Sequence, residues 1–321
     1  MPVRRPRLFC ELCCGSAAVT LKLLGGRYAV PPISYMGSKR GYAHAILWAM
    51  GLRQGQGADR VLLCDAGPWG HVWGVLADRE RCLEVASIIR CWKDEDPRQL
   101  WERLREEHRG EWDGWTAERV AGWCFDVANA HGGTGGWKVV PLDRPHTDAN
   151  LSAATIATRI ESVAAWLTTG AWCYRQGDQD SGGGCTPDRR HTATATATAT
   201  AKCADRLDGV KVIPGSAADI EPPDDCDGVF VYMDPPYLNT TGYAAELPRE
   251  DVLAIARKWS DAGAVVCISE AVPLPLEGWH HLEITSTRQG QKRTFSKQQR
   301  EWLTMNREPA WRPQIQTELF A

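Results

Sequence analysis

Apolar and polar positions along this chain follow two rhythms. Near the start, RLFCEL (7–12) is a short apolar run ending beside an acid, Gly15-Ser16 makes a turn, and AAVTLKLLGG (17–26) carries small and apolar residues up to two glycines. The pattern predicts strand, turn and helix. PPISYMGSKRGYAHAILWAMGL (31–52) reads as a proline-opened turn followed by an amphipathic helix, and RVLLCDAGPWGHVWGVL (60–76) as a strand ending in Asp65 and then a helix. The same grammar resumes late in the chain. GVKVIPGSAADI (209–220) and GVFVYMDPPY (228–237) contain strands, REDVLAIARKWSDAG (249–263) is a helix, and AVVCIS (264–269) is a buried strand. HHLEITSTRQGQKRTFSKQQREWLTMNR (280–307) reads as two strands joined by a basic loop. Strands alternating with helices predict an α/β fold, a Rossmann-like doubly wound parallel sheet.

Residues 81–209 break that rhythm. They hold Trp92, Trp101, Trp112, Trp115, Trp123, Trp137, Trp166 and Trp172, together with glycine-rich turns such as HGGTGGW. LSAATIATRIESVAAWLTTG (151–170) predicts a helix, GDQDSGGGCTPDRR (177–190) a flexible loop, and HTATATATATAK (191–202) a low-complexity linker or mobile loop. The expected organisation is one discontinuous domain, 1–80 with 210–321, interrupted by an inserted region at 81–209 that carries a flexible loop at about 177–202.

Composition narrows the classes. The chain has 321 residues and 43% apolar content, enough for a real core. No apolar run approaches the roughly 20 residues that a bilayer span needs. Glu11 interrupts the apolar stretch after the first arginines, so no signal peptide is expected. Twelve cysteines without an export signal predict free thiols in a reducing cytoplasm rather than a disulfide framework. Cys10, Cys13 and Cys14 lack a second ligand pair at metal spacing and are expected to pack the first strand, with no metal. The net charge of −3 gives no global sign of a nucleic-acid partner. Locally, Arg288, Lys292, Arg293, Lys297, Arg300, Arg307 and Arg312 face only Glu301 and Glu308 in sequence. That run fits a phosphate-contacting patch or the solvated face of a hairpin.

The candidate chemistry lies at Asp234-Pro235-Pro236-Tyr237. Ligands of open α/β sheets gather at the carboxyl ends of strands, and Asp234 follows an apolar one. The two prolines lack N–H groups and stiffen the turn, their carbonyls remain acceptors, and Tyr237 offers an aromatic face. Acceptors beside a stacking platform suit a planar ligand carrying an amino group. A tight turn with a satisfied carboxylate is the plainer alternative. Gly15 and Ser16 end the first strand, where a ligand can approach the backbone, although a strand-to-helix turn explains them equally. Asp65 ends the second strand, a usual place for a carboxylate that grips ribose hydroxyls, and would also serve as a helix cap.

Taken together, these segments resemble the Dam-type (D12 class) adenine-specific DNA methyltransferases. MDPPYLNTTGY resembles their catalytic motif, FCELCCGSAAVTL their S-adenosylmethionine loop, ISYMGSKRGYAHAIL their lysine-bearing segment, and KRTFSKQQREWLTMN their C-terminal strands. The resemblance covers roughly 8–75 and 209–307. It implies a methyltransferase fold with S-adenosyl-L-methionine held by Glu11, Cys13, Gly15, Ser16, Tyr35, Lys39, Asp65 and Ser216 or Asp219. It also implies catalysis by Asp234, Pro235, Pro236 and Tyr237. The lysine segment follows the glycine loop here, whereas the family places it before, and Ala17 and Ala18 stand where the family often has another glycine.

The implied reaction is direct methyl transfer to the exocyclic N6 of a flipped-out adenine in double-stranded DNA, within a restriction-modification pair or alone. Arg288, Lys292, Arg293 and Lys297 would hold phosphates, and the 81–209 region would select the target. Cytosine N4, an RNA base, a protein amide, or binding without catalysis are the alternatives. QTELF (316–320) resembles the peptide that docks on bacterial sliding clamps, through Gln316, Leu319 and Phe320. The expected protein is a cytoplasmic monomer of a bacterial or phage-infected cell, with no membrane partner.

Overall fold

The computed structural model describes residues 5–26, 29–33, 38–107, 114–129, 152–169, 209–237, 246–284 and 301–312. In chain order the elements are β1 (Leu8–Leu12), α1 (Ala18–Gly25), a 3-10 turn (Lys39–Gly41), α2 (Ala43–Ala49), β2 (Arg60–Asp65) and α3 (Pro68–Leu76). Four helices follow: α4 (Arg79–Cys91), α5 (Pro97–Glu107), α6 (Ala117–Asn129) and α7 (Ala153–Thr169). The chain continues with β3 (Val210–Pro214), a second 3-10 turn (Ala217–Asp219), β4 (Val229–Met233) and α8 (Arg249–Asp261). It closes with β5 (Val265–Glu270), β6 (His280–Ile284) and β7 (Glu301–Met305).

One seven-stranded sheet runs in the order β3-β2-β1-β4-β5-β7-β6. The first five strands are parallel, and β7 is antiparallel to both of its neighbours. The protein is therefore α/β, with a mostly parallel mixed sheet compatible with a Rossmann-like fold. Period-2 alternation sends successive side chains of each strand to opposite layers. Phe9, Val61, Leu63, Tyr232, Cys267 and Leu303 join one core cluster, while Cys10, Cys64, Val231, Met233, Val266 and Ile268 join the other.

The first layer is covered by α1 through α7 and the second by α8. Handedness accounts for that split. Right-handed crossovers running from β1 outward through β2 to β3 put their helices on one face. The crossover from β4 to β5 runs in the opposite direction and puts α8 on the other. The reversal falls between β1 and β4, which pair from Leu8↔Val229 to Leu12↔Met233. Ligands of doubly wound sheets bind at such a switch point, beyond the carboxyl ends of the strands.

The described part of the tryptophan-rich stretch is helical. Trp101, Phe125, Ile156 and Ile160 are buried in the same cluster as α1, α2 and α3. No helix among the described residues is long and apolar enough to cross a membrane. The loop at 177–202 and its Thr-Ala repeat lie outside the described residues.

Candidate active site at the strand ends

Backbone bonds continue past the strands and tie their ends together. The Asp234 N–H donates to Leu12 O (3.2 Å), the Cys14 N–H to Cys64 O (2.9 Å) and the Gly215 N–H to Asp65 O (3.1 Å). The ends of β1, β2, β3 and β4 thus form one cleft. It is lined by Glu11, Cys13, Gly15 and Ser16 from the first strand end, and by Asp65, Gly67 and Trp69 from the second. Ser216, Asp234, Pro236 and Lys39 complete the part that matters chemically.

Asp65 organises the glycine turn. Its two carboxylate oxygens accept the N–H groups of Gly15 and Gly67, each at 2.8 Å. The buried indole of Trp73, from α3, donates to Gly15 O at 2.7 Å. The Gly15 peptide is thereby held at both ends. Burial raises the Asp65 carboxyl, and the two N–H donors pull it back down. The turn is strained: Cys13 and Ala17 adopt left-handed φ values of 56° and 49°. Burial pushes the thiols of Cys13 and Cys14 far up, so they stay protonated and are poor nucleophiles.

Glu11 is 2% exposed and sits beneath α1, accepting the N–H groups of Thr20 (2.6 Å) and Val19 (3.4 Å). Its pKa is raised to about 7, mainly by burial. This carboxylate holds a helix N-terminus while bordering the cleft.

Asp234 is the hub of the second half of the site. The Lys39 ammonium is 2.9 Å from Asp234 Oδ1, and Ser269 Oγ donates to the same oxygen at 3.0 Å. Ser269 has one proton, so the Tyr232 hydroxyl, 2.8 Å away, donates to Ser269 in turn. Burial raises the Asp234 carboxyl, and Lys39 and Ser269 oppose that rise. The Tyr237 hydroxyl donates to Glu301 Oε1, and its ring lies 4.6 Å from the Lys39 nitrogen. Glu301 is 3.8 Å from the same ammonium. Burial and the neighbouring Asp234 lift the Glu301 carboxyl to about 7, against the pull of Lys39.

The structure brings most of the sequence-predicted residues together. Glu11, Cys13, Gly15, Ser16, Lys39, Asp65, Ser216, Asp234 and Pro236 all line the cleft, and Tyr237 joins it through Lys39. Pro235 is buried in the turn between them. Of the two acids-or-alcohols considered after β3, Ser216 lines the cleft, whereas Asp219 is exposed at the end of its 3-10 turn. Lys39 reaches the site although its segment follows the glycine loop. Tyr35, Arg288, Lys292, Arg293, Lys297, Gln316, Leu319 and Phe320 lie outside the described residues.

Sequence reasoning missed Ser38, Trp69, Trp73, Tyr232, Ser269 and Glu301. Ser38 Oγ is 2.8 Å from Ser16 Oγ and joins the lysine segment to the glycine turn. Trp69 lines the cleft and is backed by Trp73 in a stacked pair at 5.9 Å and by Trp123 of α6 edge-on at 5.1 Å. The signal for Ser269 was a lone hydroxyl in an apolar strand beside the one carrying Asp234.

Gly15, Gly215, Asp65 and Trp69 are the residues that could hold a ligand in this cleft. A Cβ built on Gly15 or Gly215 would meet no atom within 4 Å, so the backbone is open to close approach at both. Asp65 supplies an acceptor at the second strand end, and Trp69 an aromatic wall. No protein-family model matches the chain, and no curated protein matches it.

Proposed function

We propose that this protein transfers a methyl group from S-adenosylmethionine to the exocyclic N6 of adenine in DNA. The observation that carries the reading is the meeting of Asp234 with the ends of β1 and β2 in one cleft, with Tyr237 beside it. The motif resemblance of MDPPYLNTTGY adds the substrate class. The glycine turn, Asp65 and Ser216 would hold the cofactor. When bound, it supplies an electrophilic methyl carbon, which the amine lone pair takes as the carbon–sulfur bond breaks and its electron pair stays on sulfur.

The chain's own residues do the rest. An aromatic amine is a poor nucleophile because its lone pair is delocalised into the ring. The Asp234 carboxylate and the Pro235 carbonyl would each accept one N–H, favouring the geometry that frees the lone pair. The Tyr237 ring would stack on the base and offset part of the few kcal/mol of unstacking. Ser269 and Tyr232 keep Asp234 oriented through a fixed chain of hydroxyls. Such preorganised positioning is the main source of rate in this kind of site. Asp234 need not be a strong base, since the amine proton can leave after the methyl arrives.

The test is long-read sequencing of plasmid DNA from cells expressing the protein or its Asp234→Ala variant. N6-methyladenine at a defined sequence context is expected with the intact protein. The variant should lose at least about 100-fold of the transfer rate. Modified cytosine instead would move the acceptor to N4, and unmodified DNA would overturn the reading.

A further inference from the structure

A buried carboxylate, Glu301, and a half-buried one, Asp234, share one buried ammonium in this site. Lys39 Nζ lies 2.9 Å from Asp234 and 3.8 Å from Glu301, and the side chains of Lys39 and Glu301 are each 7% exposed. The ammonium also stands 4.6 Å from the centre of the Tyr237 ring. Lys39 therefore sits where a methyl-transfer reading puts the acceptor's NH2 group, on the Asp234 carboxylate and against the tyrosine. Both cannot take Asp234 Oδ1 in the same way. An incoming amine that takes Asp234 Oδ1 displaces Lys39, and an ammonium this deep is strongly disfavoured without a counter-charge.

Resting on that reading, we propose that Glu301 is a positioning residue: it takes over the Lys39 ammonium when the acceptor amine docks on Asp234, and it fixes the Tyr237 ring through its hydroxyl. The transfer is short, because Glu301 is already within 4 Å of the ammonium. With Glu301 ionised, above its raised pKa of about 7, charge is conserved: one cation and two anions stand before and after. The receiving group is stiffly mounted. Glu301 begins β7, pairs with Ile284 of β6, and belongs to a strand bonded to β5 on its other side. Tyr237 O–H donates to Glu301 Oε1, so the ring is anchored at its hydroxyl end and at the two prolines preceding it. A glutamine would keep that acceptor and the shape, and would remove only the charge that Lys39 needs after displacement.

Full-length protein, Glu301→Gln, Glu301→Asp, Lys39→Met and the Lys39→Met/Glu301→Gln pair are compared for methyl transfer from tritiated S-adenosylmethionine to unmethylated plasmid DNA. Calorimetric titration with S-adenosylmethionine reports whether each variant is folded and cofactor-competent. Glu301→Gln should raise the KM for DNA about tenfold or more, with cofactor affinity within about twofold of the parent. Glu301→Asp should recover much of that loss. Removing the lysine should make the loss largely disappear: Glu301→Gln should cost far less in the Lys39→Met background than alone. Additive effects of the two substitutions, or an unchanged KM in Glu301→Gln, would overturn the proposal while leaving DNA methylation standing. Transfer to no DNA by the unaltered protein would instead overturn the function itself, and this role with it.

Discussion

Asp234 was visible in the sequence because a carboxylate after an apolar strand, followed by two prolines, has few bland explanations. Glu301 was not. It sits in a run of basic residues and reads there as a counter-charge, yet in the fold it is 5% exposed and touches Tyr237. Ser269 was hidden for the opposite reason, as one small polar residue in an apolar strand whose hydroxyl matters only because the neighbouring strand ends in Asp234. Ala17 makes the same point about the backbone. Its φ of 49° is a conformation that glycine adopts freely, and its side chain is fully buried. Relief of strain in Ala17→Gly opposes the loss of a buried methyl and the added freedom of the unfolded chain. We expect the change in stability to stay within about 1 kcal/mol, measured by urea unfolding. A loss of several kcal/mol would mean that the turn is unstrained.

Element types followed the hydrophobic periodicity for the seven described strands and for α1, α2, α3, α7 and α8, since nearly all bury one stripe or an apolar run; the edge strand β3 only half-buries Val210, Val212 and Ile213. The helices α4, α5 and α6 were not resolved in the sequence reading, where tryptophans and glycine-rich turns dominated. Yet α5 places Leu100, Trp101 and Leu104 on a buried face among charged residues, an amphipathic pattern that its tryptophan disguised. Strand ends explain the site better than any single motif, because parallel pairing in register carries Glu11, Asp65 and Asp234 to one edge. The join of α3 to that edge depends on Gly70. A Cβ there would lie 2.1 Å from Asp65 O and 3.0 Å from Pro214 Cα. Gly70→Ala must push α3 off β2 and β3, and with it the Trp73 indole off Gly15. Destabilisation of about 2–4 kcal/mol is expected in chemical unfolding, with weakened S-adenosylmethionine binding. A melting curve unchanged from the parent would contradict this packing.

Across the whole molecule, the order of the sheet was legible only in class. No local pattern reveals that β1 pairs with a strand more than 200 residues later, or that β7 inserts between β5 and β6. Those contacts are settled by handedness and by which faces remain apolar once the local elements exist. The acids gathered at the strand ends carry a global energetic cost. Glu11 and Glu301 rise from 4.5 to about 7 on folding. A carboxyl raised in this way favours the folded state fully below the unfolded value near 4.5, and that contribution is lost as pH climbs through about 7. At about 1.4 kcal/mol per pH unit, ionising Glu301 in place costs on the order of 3 kcal/mol. Glu301→Gln should therefore be more stable than the parent at pH 8, with the advantage shrinking towards pH 4.5 in matched urea titrations. A variant weaker than the parent at alkaline pH would reverse this account.

The placement of β7 also orders events during synthesis. The last of the described strands enters the interior of the sheet, between two strands that were made before it. A nascent chain that has emerged through β6 still lacks both the partner that joins β5 to β6 and the acid that meets Tyr237. Closure of the sheet and completion of the cleft must then coincide with the arrival of β7, so a product cut short before β7 has no finished site to misuse.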